Sequence, residues 1–386
     1  MARPIMRNRR AERTGYFPEF AADYKVSSSL PSPPMATLVQ AIRLALHYGE
    51  THLGVTDVLG EDVGPPLGGV FTATQGLATA WNTPLDERGI LGTAMGLAYA
   101  GSKPVAEIQF CDYAFNSIDL LKVAGNQRWC GAGGFPMPIV VMTPNGAGIR
   151  GSVYHSHSFE SWASRLAGWK IVMPSNPLDA YGLMLSAIAD PNPVLVLLPK
   201  ALMRVKGDKL IPGEPADADE LARRIDAPVN DRANWKPDWP EMQEHFIPIG
   251  EASLVREGTA ATVISYGRPV PMCVKAADEL RRDYGHQFDV IDLRSIFPYD
   301  WDMLSRSIEK TGRVMFVNED TEVTNFSEHL LRRTIEDHFY DLLVQPRLLQ
   351  GKHIPGIGMN PIYEDNSVPQ YSEIRDAMRA MATEAA

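Results

Sequence analysis

The fold is decided by four short apolar runs, VAEIQF (105–110), IVVMT (139–143), KIVM (170–173) and VLVLL (194–198). Each run has the length and the apolar content of a strand that is buried on both faces of a sheet. The longer segments between them, 115–128, 159–167 and 177–189, are predicted to be helical. Such alternation predicts a parallel sheet that is covered by helices on both faces.

A second series of the same kind begins at Gly250. Its predicted strands are residues 261–266, 288–293 and 313–317, and its predicted helices follow Pro271 and Asp300. Two such series predict an α/β protein with two three-layer α/β/α domains and mainly parallel sheets. We assign the chain to an irregular N-terminal arm (1–35), a first domain (36–200), a linker with an insertion (201–247) and a second domain (248–386).

Composition narrows the class of protein. The 386 residues carry a formal net charge of −10, which disfavours a nucleic-acid binder because such proteins usually present a basic surface. Three widely spaced cysteines do not form a disulfide or zinc pattern and favour a reducing compartment. No stretch approaches the roughly 18 apolar residues of a membrane span, so the sequence predicts a cytoplasmic protein without a membrane partner.

Carboxylates follow the predicted strand at residues 54–59, which ends in Gly60-Glu61-Asp62. Ligands bind beyond the carboxyl ends of parallel strands, which makes Glu61 a candidate binding residue. Acids at such positions also cap the next segment or are simply solvated, and the spacing alone does not choose between these alternatives.

Glu87 precedes a segment of small residues, GILGTAMGLAYAG (89–101). Each interior glycine costs about 1 kcal/mol relative to alanine in a helix, so this segment suits a place where another backbone or a ligand approaches closely. Glu87 is then either an acid favoured by the helix dipole or a carboxylate positioned for proton exchange with a heterocycle nitrogen.

Two histidines lie in the loop YHSHS (154–158). No further ligands cluster near this His-x-His pair in the sequence, so a metal site is disfavoured and His155 is a candidate for acid–base work. The preceding GAGIRG (146–151) matches G-x-G-x-x-G, but no helix start follows it and no acid lies about 20 residues on. A dinucleotide site is therefore not predicted there.

Together these landmarks resemble the β subunit of the thiamine-diphosphate-dependent 2-oxo acid dehydrogenases, in the transketolase-like superfamily. The resemblance covers residues 36–335 and favours the branched-chain (2-oxoisovalerate) type. It implies a pyrimidine-binding domain followed by a transketolase C-terminal-like domain. The matching segments are Gly60-Glu61-Asp62-Val63, Gly68-Gly69-Val70-Phe71, Asn82-Thr83-Pro84-Leu85 with Glu87, Ala106-Glu107-Ile108-Gln109-Phe110 with Asp112-Tyr113, Tyr154-His155-Ser156, Asp190 with Asn192-Pro193, Val290-Ile291-Asp292-Leu293-Arg294-Ser295-Ile296 and Lys310-Thr311-Gly312-Arg313.

The resemblance implies a role for each matching residue. Glu87 matches the carboxylate that hydrogen-bonds the aminopyrimidine ring nitrogen of thiamine diphosphate, and Tyr113 matches the aromatic residue packed on that ring. Glu61 and Gln109 match cofactor-binding positions, with Glu61 in the path that links two active sites. His155 matches a histidine implicated in acyl transfer to lipoamide.

The resemblance also implies metals and partners. Asp190 and Asn192 match a potassium site in which backbone oxygens supply most ligands. The family holds magnesium and the diphosphate through a Gly-Asp-Gly motif in the α subunit, and no Gly-Asp-Gly occurs in this sequence. The implied assembly is an α₂β₂ heterotetramer that oxidatively decarboxylates a 2-oxo acid and transfers the acyl group to a lipoylated acyltransferase core.

Some positions depart from the family pattern. His157 stands where glutamine is usual, Leu120 replaces another glutamine, and Asn318-Glu319 replaces a histidine–glutamate pair. Three alternatives stay open: a pyruvate or acetoin dehydrogenase β subunit, half of a transketolase-like lyase or ligase that does not use lipoamide, and a non-catalytic regulatory subunit.

Overall fold

The structure is a computed structural model that describes residues 35–232 and 234–385. The predicted N-terminal arm, 1–35, lies outside the described residues apart from Met35. Within the described part of the chain, no helix is long and apolar enough to cross a membrane.

The described residues form twelve strands: β1 (Asp57–Gly60), β2 (Ala80–Asn82), β3 (Pro104–Glu107), β4 (Val140–Asn145), β5 (Lys170–Val172), β6 (Val194–Pro199), β7 (Ser253–Arg256), β8 (Thr262–Ser265), β9 (Asp289–Asp292), β10 (Ser295–Phe297), β11 (Val314–Thr321) and β12 (Arg347–Gly351). One sheet has the order β10-β5-β6-β4-β3-β1-β2 and the other has the order β12-β11-β8-β9-β7. Only the edge strands β10 and β7 pair antiparallel. The predicted α/β class with two mainly parallel sheets is confirmed.

The α-helices are α1 (Leu38–Tyr48), α2 (Glu87–Tyr99), α3 (Ile118–Cys130), α4 (Glu160–Ala163), α5 (Pro177–Ala189), α6 (Ala218–Ile225), α7 (Pro269–Tyr284), α8 (Trp301–Thr311), α9 (Phe326–His338), α10 (Pro361–Asp365) and α11 (Tyr371–Thr383). Local sequence explains several of their starts. Thr37 and Gln40 form a capping box at α1, and α5 begins with Pro177 after the cap Asn176.

Alternate side chains of the first sheet enter two different hydrophobic clusters. In β6, Leu195 and Leu197 pack on the face covered by α2 and α3, whereas Val194, Val196 and Leu198 pack on the face covered by α1 and α5. Such a strand is buried on both sides, which explains its uninterrupted apolar sequence. The cluster that contains Leu195 continues into the second sheet through Ile264 and Phe316, so the two sheets share a core.

Two predicted elements are present with different bounds. The strand expected at 54–59 begins only at Asp57, because a π-helical turn (Gly49–Leu53) extends α1 and ends at Gly54, where φ is +77°. The helix expected at 159–167 is the single turn α4. Gly168, with φ at +94°, turns the chain so that Trp169 Nε1 can donate to Leu121 O at 2.7 Å.

The linker at 201–247 packs against the first domain. Leu221 and Ile225 of α6 are fully buried in the cluster that contains α1. Arg43 of α1 is also fully buried, and its Nη1 donates to Ile225 O at 2.5 Å and to Asp226 Oδ1 at 2.7 Å. The boundaries drawn at residues 200 and 247 stay a prediction.

Strand β10 was not predicted, because it follows β9 after only two residues and has no separate apolar run of its own. It follows β9 of the second sheet in sequence but pairs with β5 of the first sheet. Arg294, just before it, donates from Nε and Nη2 to the two carboxylate oxygens of Asp179 at 2.8 and 2.7 Å. A strand and a bidentate ion pair therefore join the two domains.

Candidate active site

The carboxyl ends of β1 and β3 meet at one edge of the first sheet. These neighbouring strands are parallel, and Gly60 at the end of β1 pairs with Glu107 at the end of β3. The residues that follow each strand therefore come together. Gln109 Nε2 donates to Glu61 O at 3.4 Å, so two of the predicted cofactor-binding residues are neighbours.

Glu87 is the first residue of α2 and is 9% exposed. Asn116 Nδ2 donates to its Oε2 at 2.9 Å. Ser117 Oγ donates to Asn116 Oδ1 at 2.6 Å, which turns the amide nitrogen of Asn116 toward the carboxylate. The carboxylate of Glu87 is therefore held in place from one side at the start of a helix, where negative charge is favoured.

Tyr113 and His155 form the second part of the site. Tyr113 Oη and His155 Nε2 are 2.8 Å apart, within hydrogen-bond distance. The ring of Phe110 packs edge-on against His155, with 4.3 Å between centroids, and lies 5.9 Å from the ring of Tyr113. The imidazole is therefore oriented by one hydrogen bond and one aromatic contact.

The charges of these residues influence one another. Burial, with the negative charges of Asp62 and Glu87, raises the pKa of Glu61. Burial, with the charges of Asp112, Glu87 and Glu61, raises the pKa of Tyr113. The carboxylate of Glu87 therefore influences both Glu61 and Tyr113 electrostatically, and Tyr113 lies within hydrogen-bond distance of His155.

Two family models match the chain. Residues 40–206 match the transketolase pyrimidine-binding domain, and residues 250–374 match the transketolase C-terminal domain. A solved structure described as a split-gene transketolase, inactive β4 tetramer, is similar with a TM-score of 0.64. It covers 91% of this chain and 100% of its own at 16% identity, so this likeness concerns the fold alone.

Curated relatives are more similar in sequence. The 2-oxoisovalerate dehydrogenase subunit β of Bacillus subtilis (strain 168) is 34% identical over 352 residues, which are 89% of this chain and 98% of that protein. This chain belongs to the 2-oxo acid dehydrogenase β-subunit family. The pyruvate dehydrogenase E1 component subunit β of Acholeplasma laidlawii is 35% identical over 80% of this chain and 87% of that protein.

In this β subunit, α2 presents a strip without side chains on its solvent-facing side, at Gly92 and Gly96. An ideal Cβ on Gly96 would have no atom within 4 Å, and one on Gly92 would meet only Leu120 Cδ1 at 3.9 Å. These glycines therefore do not serve close packing within the described chain. They leave a surface on which a cofactor or a second chain can approach the helix backbone.

A further carboxyl group of this β subunit, Glu107, was not predicted as a site residue. It is 3% exposed, and burial raises its pKa to about 8, although a backbone hydrogen bond from Val70 opposes this shift. An ideal Cβ on Gly69, where φ is +81°, would lie 3.0 Å from both Glu107 oxygens. The group is therefore a neutral acid at pH 7, enclosed below the strand ends.

We expect Glu107→Gln to change how stability depends on pH. The raised pKa of Glu107 contributes stability that is fully present below its ordinary value of 4.5 and is lost as the pH rises to about 8. The unfolding free energy of wild type should therefore fall relative to Glu107→Gln by roughly 1 kcal/mol per pH unit across that window. Urea titrations between pH 5 and 9 measure this difference.

The matched control is Glu244→Gln, which changes an exposed glutamate of the linker. Its stability should run parallel to that of wild type at every pH. A Glu107→Gln curve that is also parallel to wild type would contradict the assignment of a neutral Glu107.

Asp190 and Asn192 lie at the other end of the parallel strands, next to the amino ends of β5 and β6. Asp190 Oδ2 pairs with Lys170 Nζ, and Asp190 Oδ1 accepts from Asn192 N at 2.9 Å and from Asn192 Nδ2 at 2.7 Å. The structure brings the two residues together, but both carboxylate oxygens already have partners. A potassium ion there would depend on backbone oxygens.

The two loop histidines point to different partners. His157 Nδ1 lies 2.5 Å from Asp112 Oδ1, whereas His155 faces Tyr113. Burial tends to raise the pKa of Asp112, but the hydrogen bond from His157 and the charge of Lys200 lower it overall. No group of three or more His, Cys, Asp or Glu side chains in the described ranges could hold a metal ion.

Asn116 is the other site residue that the sequence did not predict. It lies in the 3₁₀ segment Cys111–Ser117, and the available signal was its position three residues after Tyr113, one helical turn away. That spacing explains how one segment places Tyr113 within hydrogen-bond distance of His155 and Asn116 within hydrogen-bond distance of Glu87.

Proposed function

We propose that this chain supplies the pyrimidine-activating half of a thiamine diphosphate site in a branched-chain 2-oxo acid dehydrogenase. The observation that carries the proposal is the buried carboxylate of Glu87 at the start of α2, held by Asn116. A carboxylate held in one position is what proton exchange with a ring nitrogen requires.

These residues fit the cofactor. Glu87 would hold or move a proton at the pyrimidine nitrogen, Tyr113 would pack on the ring, and Glu61 and Gln109 would border it. When bound, thiamine diphosphate supplies the nucleophilic carbon that attacks the keto group and accepts the charge released on decarboxylation.

Among the residues that the structure describes, no cluster of carboxylates fits magnesium. We infer that an α subunit with a Gly-Asp-Gly motif holds the magnesium ion and the diphosphate, in an α₂β₂ heterotetramer. The open strip at Gly92 and Gly96 supports the approach of a second chain to α2. We also propose a potassium site near Asp190 and Asn192, in which backbone oxygens would be the ligands.

His155 would act in reductive transfer of the acyl group to the lipoyl disulfide of an acyltransferase core, where it would supply a proton to the sulfur that leaves as the S–S bond breaks. Its hydrogen bond to Tyr113 and its contact with Phe110 orient the imidazole for proton exchange with a thiol. The names of the relatives favour a branched-chain 2-oxo acid as substrate, and pyruvate is the alternative.

The proposal is tested with the chain co-purified with an α subunit that carries Gly-Asp-Gly. We expect this complex to reduce a lipoyl domain with 2-oxoisovalerate, at a kcat/KM higher than with pyruvate. Turnover with an artificial electron acceptor but not with the lipoyl domain would instead indicate a lyase-type enzyme. Absence of both activities would indicate a regulatory subunit, and tight thiamine diphosphate binding by this chain alone would contradict the half-site.

A further inference from the structure

The loop that carries His155 has an unusual backbone. Residues 146–157 leave the end of β4, and Gly146 N donates to His157 O at 2.8 Å, which closes the base of the loop. Four residues have positive φ: Gly146 (+83°), Gly148 (+103°), Arg150 (+56°) and Ser152 (+79°). Arginine and serine rarely adopt this region, so contacts from outside the loop must stabilise it.

Those contacts come from two carboxylates of the second domain. Glu319, in β11, accepts from Ala147 N through Oε2 at 3.2 Å. Glu364, in α10, accepts from Gly148 N at 2.8 Å and from Arg150 N at 3.0 Å, both through Oε1. Glu364 is 3% exposed, so water does not readily replace it.

The loop amides explain the G-x-G-x-x-G match of the sequence. Successive N–H groups in such turns form a concave nest that binds an anion, which is a phosphate in nucleotide-binding loops. Here the carboxylate of Glu364 is the anion that accepts from this nest. The motif therefore serves a contact between domains, and that contact orders the backbone that leads to His155.

We propose that Glu364 is a positioning residue that holds the His155 loop in the conformation needed for acyl transfer. Without its carboxylate, two partly buried N–H groups lose their acceptor, and the positive-φ backbone at Gly148 and Arg150 loses its external support. His155 then moves away from Tyr113, with which it pairs at 2.8 Å. Glu87 and Asn116 belong to other segments and keep their geometry. The inference rests on the proposed function.

The experiment compares two activities of the reconstituted α–β complex, reductive acylation of a lipoyl domain and decarboxylation with an artificial electron acceptor. We expect Glu364→Ala to lower kcat for lipoyl acylation at least about tenfold, since small displacements of a reacting group have effects of this size. The artificial-acceptor rate should change less than about threefold. Glu364→Gln should stay near wild type, because its amide oxygen still accepts from both N–H groups.

Asp365→Asn is the matched control, because it removes a neighbouring carboxylate of α10 that makes no contact with the loop among the described residues. It should leave both activities unchanged. Glu364→Asp keeps the charge, but its side chain is one methylene shorter, so its oxygens lie farther from the loop amides. It replaces the alanine variant in the experiment if the alanine variant does not fold. It should show the same selective loss.

Equal losses in both assays, or an unchanged Glu364→Ala enzyme, would overturn the positioning role. Faster hydrogen exchange confined to 146–157 in that variant would support it, and unchanged exchange there would oppose it. A wild-type complex that fails to acylate the lipoyl domain would refute the proposed function instead, before any variant is compared.

Discussion

Glu87→Gln should lower kcat of the reconstituted complex about 10²- to 10⁴-fold, the range that a positioned general acid or base contributes. Glutamine has nearly the same shape, and its amide oxygen can still accept from Asn116 Nδ2, which donates to Glu87 Oε2 at 2.9 Å. What the variant lacks is the ability to hold and release a proton. The loss should therefore appear in both the lipoyl assay and the artificial-acceptor assay.

The matched control is Asp86→Asn, one residue before Glu87. Asp86 is an exposed carboxylate at the start of α2 whose side chain makes no capping hydrogen bond, so asparagine removes only its charge. It should keep turnover within about twofold and the same melting temperature, since most surface substitutions change stability by less than about 0.5 kcal/mol. A Glu87→Gln enzyme with wild-type turnover would refute the assignment of Glu87.

His155→Asn should separate the two assays. We expect lipoyl acylation to fall about 10²- to 10³-fold, because the acid–base group that serves the thiol is missing. Decarboxylation with an artificial acceptor should fall less than about threefold, since Glu87 and Asn116 do not touch the histidine loop. The effect should exceed that of Glu364→Ala, which displaces the imidazole but does not remove it.

His286→Asn provides the control, because His286 follows α7 in the second domain and stacks on Tyr284, in another part of the fold. Both activities should be unchanged in this variant. A His155→Asn complex that loses both activities to the same extent would place the histidine in decarboxylation, and one that loses neither would remove it from the reaction.

Much of the fold was predictable because buried strands have a recognisable local sequence pattern. A strand such as β6, buried on both faces, must be apolar at every position, so VLVLL is recognisable without its neighbours. Strand β10 has no such pattern. Its partner β5 lies more than 120 residues earlier in the sequence.

Those residues of the candidate site whose own sequence segment indicates a function could be predicted. Glu87 could be proposed from the glycines that follow it, and His155 from its loop. Asn116 had only its spacing from Tyr113 as a signal, because its role depends on a contact with a residue 29 positions away. Glu107 looked like one polar residue in an apolar strand, and its protonation depends on how completely the surrounding chain excludes water.

The sequence by itself determined the α/β class, the family resemblance, the candidate carboxylate and the expectation that half of the site belongs to another chain. These conclusions depend on periodicity, residue type and motif, which can be read from residues that are close together in the sequence. Only the tertiary structure decided that Glu364 accepts from Gly148, 216 residues before it. The physical reason is that hydrogen-bond partners and burial are set by distance in space, after strands and helices have packed.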